Sequence, residues 1–316
     1  MKRRTLHSLA NVGQELLLVA ALLLLFAVVG SVNARFVSHN NLTSIFVGNA
    51  YIAVAAIGMS MVIISGNIDV SIGALIGVLA TISGLIATNG YPVWLAWLAP
   101  VLFGGIVNTA LGFLIAYARV PSIIATLAML SIWSGGLITM TGGRWISGLP
   151  SGFQLAQFRL FGVPSPVWFM AIMTVAAAYL MRYTPFGRSI YAVGSNPEAA
   201  EASGIPYKAT IVKVFAIHGM IGGVAAVLFA TQLQVIQSTV PVGLELVIIT
   251  ASVVGGVSIL GGVGTVVGST LAAILFAAIG SSLIFLNVSA YWLRAVQGVL
   301  ILATVLADMA RRRRTG

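Results

Sequence analysis

The stretch VGNAYIAVAAIGMSMVIIS (residues 47–65), GNID (66–69), VSIGALIGVLATISGLIAT (70–88) holds two apolar runs and a single charge, Asp69. A helix rises about 1.5 Å per residue, and a bilayer's hydrocarbon core is about 30 Å thick, so roughly 20 apolar residues cross it. Each run therefore has the length and composition of a membrane-crossing helix. The polar, glycine-containing GNID stretch between them is where one helix ends and the next begins. The same criterion, applied outward along the chain, finds about ten runs. They lie at residues 14–30, 47–65, 70–88, 93–118, 122–141, 166–181, 212–231, 244–260, 263–285 and 291–309. The expected fold is an all-α polytopic membrane protein, residues 1–316 forming a single transmembrane domain.

Composition says the same. Of 316 residues, 59% are hydrophobic and 7% charged, with a mean hydropathy of +1.07. Soluble domains carry about 25% charged residues, so lipid rather than water must cover this surface. The formal charge of +10 is gathered at the ends and in short connections, with Lys2, Arg3 and Arg4 at the start and Arg311 to Arg314 at the close. That is the pattern of cytoplasmic tails and loops, not of nucleic-acid binding. Basic tails on one side require an even number of crossings, so ten spans with both termini cytoplasmic are expected. Alternation places residues 182–213 in the cytoplasm and the Gly/Pro-rich connection 142–165 outside, where Arg144 and Arg159 run against the charge rule. Lys2 to Arg4 with the apolar run to Val29, and Val32 and Ala34 beyond, has the outline of a secretory signal. Because many spans follow, it reads as an uncleaved first helix. The chain has no cysteine. Small-residue steps such as Gly73-x3-Gly77 and Gly264-x3-Gly268 are expected to let helices approach backbone to backbone.

No G-x-x-x-x-G-K-[ST], H-E-x-x-H or G-x-S-x-G is present, and none of the three lysines follows a glycine. If ATP drives this protein, a different chain must bind it. The most informative connection is YTPFGRSIYAVGSNPEAAEASGIP (183–206). Asn196 suits an N-cap and Pro197 the first helical position. Glu198 and Glu201 favour the positive helix end, Gly204 suits the left-handed C-terminal position, and Pro206 stops further winding. About two turns is too short for an isolated helix. This helix must dock, either on a partner through Ala199, Ala200, Ala202 and Ser203 or on the chain's own loops.

Glu198-Ala199-Ala200-x3-Gly204 resembles the EAA loop of bacterial ABC importer permeases. The wider run with Pro185-Phe186-Gly187-Arg188, Gly194 and Asn196 is similar to the ribose-type permease family. NIDVSIG (67–73), VPSIIATL (120–127) and GGVSILGGVG (255–264) resemble three further segments of that family, in the same order. TGGRWISGLP (141–150) is similar to its autoinducer-2 permeases. The chain departs from the longer EAA pattern, since no I-x-L-P follows Gly204. The resemblance implies a non-catalytic permease subunit of an ATP-driven importer for a monosaccharide or sugar-like molecule. It implies cytoplasmic ATP-binding cassette ATPase subunits that bind ATP and Mg, a second permease copy or paralogue, and a soluble external sugar-binding protein. Arg188, Asn196, Pro197, Glu198, Ala199, Ala200 and Gly204 would couple to the ATPase, with no cofactor in this chain.

Asp69 is the sole acid between Glu15 and Glu198. A charge at the centre of a membrane helix costs about 2.5–3.5 kcal/mol on insertion scales, so it should face protein or water. Asp69 can cap the run from Val70, and Glu245 the run from Leu244. The alternative is a gating or substrate role for Asn67, Asp69, Ser71, Gly73 and Glu245. His218 reads as a buried helix contact. Asn108, Thr109, Gln232, Gln234 and Gln237 are able to bond a polyol or to join helices. A proton-coupled secondary transporter using Asp69 or Glu245 is the alternative function, and an intramembrane hydrolase using His218 a third. Neither needs a docking helix.

Overall fold

The computed structural model describes residues 2–289 and 291–313, with side-chain surroundings for 13–289, 291–306 and 309. The side chains of Lys2, Arg3, Arg4 and Arg311 to Arg314, on which the placement of the termini rested, lie outside the described residues. The order is α1 (Lys2–Val32), α2 (His39–Ile64), α3 (Ile72–Thr88), α4 (Val93–Tyr117), α5 (Ser122–Thr141), a two-residue hairpin of β1 (Arg159–Leu160) and β2 (Val163–Pro164), α6 (Ser165–Tyr183), α7 (Pro185–Ser195), α8 (Pro197–Ala202), α9 (Tyr207–Ala230), α10 (Leu244–Val254), α11 (Val266–Phe285) and α12 (Trp292–Arg313). Among the described residues seven helices, α1, α2, α4, α5, α6, α9 and α11, are long and apolar enough to cross a membrane. Three shorter apolar helices, α3, α10 and α12, hold the remaining runs.

Two expectations need correction. The run 244–260 is not one helix: α10 has 11 residues, about 16 Å. Gly256, Gly261, Gly262 and Gly264 all have positive φ, which ends it and delays α11 to Val266. The Gly264-x3-Gly268 step is not a helix face, because Gly264 precedes α11, and a side chain at Gly268 would meet Gly255 at the end of α10. Gly73 and Gly77 do admit neighbouring helices. A side chain at Gly73 would meet Leu244 and Glu245 in the first turn of α10, and one at Gly77 would meet Leu137 of α5 as well as Val240 of the connection before α10.

A helix apolar on all sides has to be enclosed. α2 and α9 are buried over most of their length and pack on each other, α2 also meeting α6, α10 and α11. α1, α5 and α6 keep mostly exposed apolar faces, as a lipid contact requires. The closest pairing is α4 with α9. A side chain at Gly104 would run into the carbonyl of Gly219, and one at Gly219 into the carbonyl of Gly104. Pro100 inside α4 removes the bond that would reach the Ala96 carbonyl. The Ser83 hydroxyl of α3 donates to that carbonyl at 2.7 Å, which satisfies it. Hydroxyl pairs join other helices, Ser60 with Ser269 at 2.6 Å and Thr174 with Thr270 at 2.9 Å.

The α4–α9 approach makes a prediction. Gly219→Val inserts a branched side chain against the Gly104 carbonyl, and overpacking of this kind costs about 1–3 kcal/mol. Thermal unfolding of the purified protein in detergent should show a lowered midpoint. An unchanged midpoint would mean the helices are not in backbone contact there.

Candidate functional site

Thr184 opens the segment between α6 and α9. Its hydroxyl accepts from Gly187 N at 3.0 Å and Pro185 takes the first helical position, so 185–195 forms α7. The sequence reading missed this helix, although Thr-Pro at its start is a helix signal. Ile190 and Val193 are buried, while Arg188 is exposed with Nη1 3.5 Å from the Tyr183 carbonyl. Asn196 then caps α8, its Oδ1 accepting from Ala199 N at 3.0 Å. The C-terminus closes with Gly204 at φ +81, Gly204 N donating to Glu201 O at 2.9 Å and Ile205 N to Ala200 O at 3.0 Å. This pair of bonds is the Schellman arrangement. Ala200 is buried, and Pro197, Glu198, Ala199, Glu201, Ala202, Ser203 and Gly204 are exposed. α8 is thus held by α7 and α9 through one small side chain and leaves the rest open.

α7 ends against the interrupted helices. Gly194 lies so close to the Ile64 carbonyl at the end of α2 that a side chain there would collide with it. The same carbonyl accepts from Gly262 N at 2.8 Å, in the break between α10 and α11. A side chain at Gly261 would meet both Gly194 and Gly66. Tyr191 of α7 donates its hydroxyl to Gly264 O at 2.8 Å. Burial, with the Glu15 charge adding to it, pushes the Tyr191 phenol up to about 12, so it stays a donor at neutral pH. α1 joins here as well: Gln14 Nε2 donates to Val254 O at 3.2 Å and Thr265 Oγ1 to Glu15 Oε1 at 2.7 Å.

The break between α2 and α3 has its backbone satisfied from α5. Ile68 N donates to Ser122 Oγ and Thr126 Oγ1 donates to Ile68 O, each at 3.4 Å. All four segments singled out in the sequence, 67–73, 120–127, 185–205 and 255–264, therefore meet at one junction. Nothing in their local pattern announced that. A cleft of about 520 Å³ opens beside it, lined by Asn67, Arg119, Ser122, Glu198, Glu201 and Lys208, among others. Asn67 is itself buried, with Nδ2 3.3 Å from Ser65 Oγ.

Asp69 does not cap α3. The helix begins at Ile72, and the carboxylate braces its approach: Oδ1 accepts from Ser71 N at 2.8 Å and from Ser71 Oγ at 2.6 Å. Oδ2 lies 3.3 Å from His218 Nε2 of α9, both side chains 0% exposed. The contact lacks the alignment of a hydrogen bond, so it is a contact between two buried polar groups rather than a linear bond. On its other side His218 Nδ1 faces Gly58 of α2. The group is not a nucleophile–base pair, because the Ser71 hydroxyl is bonded to Asp69 and not to His218. Deeper along α3, Gly73 sits against Glu245 in the first turn of α10. Asn108 and His218 are buried on the two facing helices α4 and α9, while Gln232 Nε2 joins its loop to Val47 O of α2 at 3.1 Å.

The Asp69–His218 contact makes a prediction. Leaving a buried polar group without its neighbour costs about 1–3 kcal/mol. His218→Leu should therefore lower the detergent unfolding midpoint strongly, and Asp69→Asn with His218→Leu should recover part of the loss. Equal losses in both variants would show that the two groups do not interact.

The profile of the family described as branched-chain amino acid transport system / permease component matches residues 41–305. The chain is 33% identical over 296 residues to the autoinducer 2 import system permease protein LsrC of Salmonella typhi, covering 93% of this chain and 85% of that protein. It is 34% identical over 296 residues to LsrC of Escherichia coli O157:H7, covering 93% and 86%. No solved structure matches. With its apolar helices and this match over most of its length, the chain is a multi-pass membrane permease subunit that belongs to the branched-chain amino acid transport system permease family, among its ribose- and autoinducer-2-type members.

Proposed function

We propose that this subunit moves a monosaccharide or a sugar-like molecule, autoinducer-2 among the candidates, across the bacterial inner membrane, driven by separate ATPase subunits. The observation that carries the reading is the exposed α8, backed through Gly194 onto the carbonyl of Ile64 and the amide of Gly262. A small, open helix is what a partner groove can grip, and the crowded glycine junction transmits its displacement without slack. The ATPase pair binds ATP and Mg and closes, α8 is pulled, and α2 and the 255–265 break follow. The bundle then exchanges outward and inward openings, a two-state element biased by a partner. Arg188, Asn196, Pro197, Glu198, Ala199 and Gly204 form the coupling surface, and the buried Ala200 seats α8 beneath it.

In this reading all ten apolar helices traverse or enter the bilayer, both termini and α7–α8 are cytoplasmic, and 142–165 is external. A second permease copy or paralogue completes the pathway, and a soluble external binding protein delivers the solute. Of the two acids open to the proton-coupled alternative, Asp69 is 0% exposed and held by Ser71 and His218, while Glu245 is part-exposed. What favours the importer reading over it is the exposed helix α8, for which a proton-coupled transporter has no need.

The test is uptake into proteoliposomes holding the permease with its ATPase partner and binding protein, with D-ribose, L-rhamnose and autoinducer-2 compared with and without ATP. ATP-dependent uptake of one of them is expected. Gly204→Val places a β-branched residue in a left-handed conformation, disfavoured by about 1–2 kcal/mol. It should leave membrane abundance near normal while abolishing uptake and weakening ATPase co-purification. Wild-type uptake by this variant would show that α8 is only a surface loop.

A further inference from the structure

Residues 231–243, between α9 and α10, look in sequence like an external connection. The structure runs them inward instead. At the outer end Ile236 and Ile146 exchange both backbone bonds at 2.9 Å, tying the segment to the 142–165 connection. From there it descends along α3. Side chains placed at Gly84, Gly77 and Gly73 would meet Ile236, Val240 and Glu245 in turn. Eleven residues of helix separate Gly84 from Gly73, about 16 Å, or roughly half the hydrocarbon core. α3 itself packs against α4, α5 and α9, three membrane-length helices, so the chain beside it lies at membrane depth.

Chain at that depth without helical bonds is tolerated only where protein buries it or where it lines water. Here protein does not supply the bonds. Among the described residues the N–H groups of Gln237, Ser238, Thr239 and Val240 donate to no protein acceptor, and their carbonyls accept from no protein donor. Gln234, Thr239, Pro241 and Val242 are exposed. A cation joins them: Arg294 of α12 is exposed, its Nη2 3.4 Å from Val242 O.

We propose that residues 234–242, flanked by Glu245 and Arg294, are the solute-contacting wall of the transport path and recognise an uncharged polyhydroxylated molecule. The reasoning rests on the importer reading above and specifies its contact site. Free main-chain donors and acceptors alternate over residues 237–240, joined by the Gln234 and Gln237 amides and the Thr239 hydroxyl. A polyol presents the matching alternation, each hydroxyl both donating and accepting. No concentration of one charge is present for an ionic solute, since Glu245 and Arg294 are of opposite sign. The same unbonded groups stay hydrated when the solute is absent, so the wall requires water on its open side.

The cysteine-free chain allows a direct test. Single cysteines at 234, 239 and 242 are compared with cysteines at Ile106 and Val175, 68% and 69% exposed on the apolar outer surface, and with Arg159→Cys on the exposed β1. A small hydrophilic thiol reagent is applied to the reconstituted complex in the nucleotide-free state and after trapping with ATP and vanadate, with size-exclusion profiles confirming folded protein. Labelling at 234, 239 and 242 at rates near that of position 159, in at least one state, is expected, with 106 and 175 unlabelled. D-ribose, L-rhamnose or autoinducer-2, whichever is taken up, should slow labelling at 234 and 239, and Gln237→Ala should raise the KM for uptake severalfold. If all three positions resist the reagent in both states, as lipid-facing or partner-covered sites do, the wall is refuted even where ATP-driven uptake is normal. Labelling with no ATP-driven uptake of any solute sinks the importer reading while keeping the water-lined segment.

Discussion

The carbonyl of Ile64 is the point on which the architecture turns. It ends α2, accepts from Gly262 across the molecule, and leaves Gly194 no room for a side chain. A helix that stops inside a membrane protein exposes carbonyls that water cannot easily reach, and each must find another partner. This chain meets that demand by bringing its interruptions together. The α10–α11 break supplies the amide, α5 supplies Ser122 and Thr126 to the neighbouring Ile68, and the end of α7 seals the outside. Interruptions that are separately costly become a single satisfied joint. Because α7 is part of that joint, the exposed helix α8 that follows it is continuous with the helical core.

Two kinds of glycine serve this arrangement. Gly104 and Gly219 bring two intact helices into backbone contact and make a rigid pair of α4 and α9. Gly66, Gly261 and Gly262 bring non-helical chain against the last turn of α7 at Gly194. The first kind holds a frame; the second makes a compact pivot beside it. The buried Asp69–His218 contact lies between them, linking the entry of α3 to the α9 side of the frame.

Much of this was legible in the amino-acid order, and the boundary is physical. Each apolar run holds a helix, because composition over some twenty residues decides that locally, although the run 244–260 is helical only as far as Val254. The α8 ends were legible for the same reason: Asn196, Pro197 and Gly204 act on backbone groups within a turn of themselves. What could not be read was depth and pairing. Residues 231–243 have the polar, proline-containing look of a loop, and hydropathy reports composition, not position along the membrane normal. The breadth of the 244–260 run hid the end of α10, since apolar residues fill a non-helical break as readily as a helix when protein surrounds it. Asp69 had a plausible local task in capping, and only the tertiary fold brings His218 to it. Ser122 and Thr126 were part of a recognised segment, but their bonds to Ile68 depend on a neighbour distant in the chain.

The distance between Asp69 and His218 in the chain has a consequence for biogenesis. Synthesis runs from the N-terminus, so the α2–α3 pair leaves the ribosome well before α9 exists. During that interval Asp69 has Ser71 but no imidazole beside it, and α2 lacks the neighbour that later buries it. An unpartnered acid resists the hydrocarbon interior, which favours keeping the 65–71 hinge near the aqueous boundary. Arrival of α9 removes that reluctance and closes α2 inside the bundle at the same moment. The burial of α2 therefore depends on α9, a helix from the second half of the polypeptide.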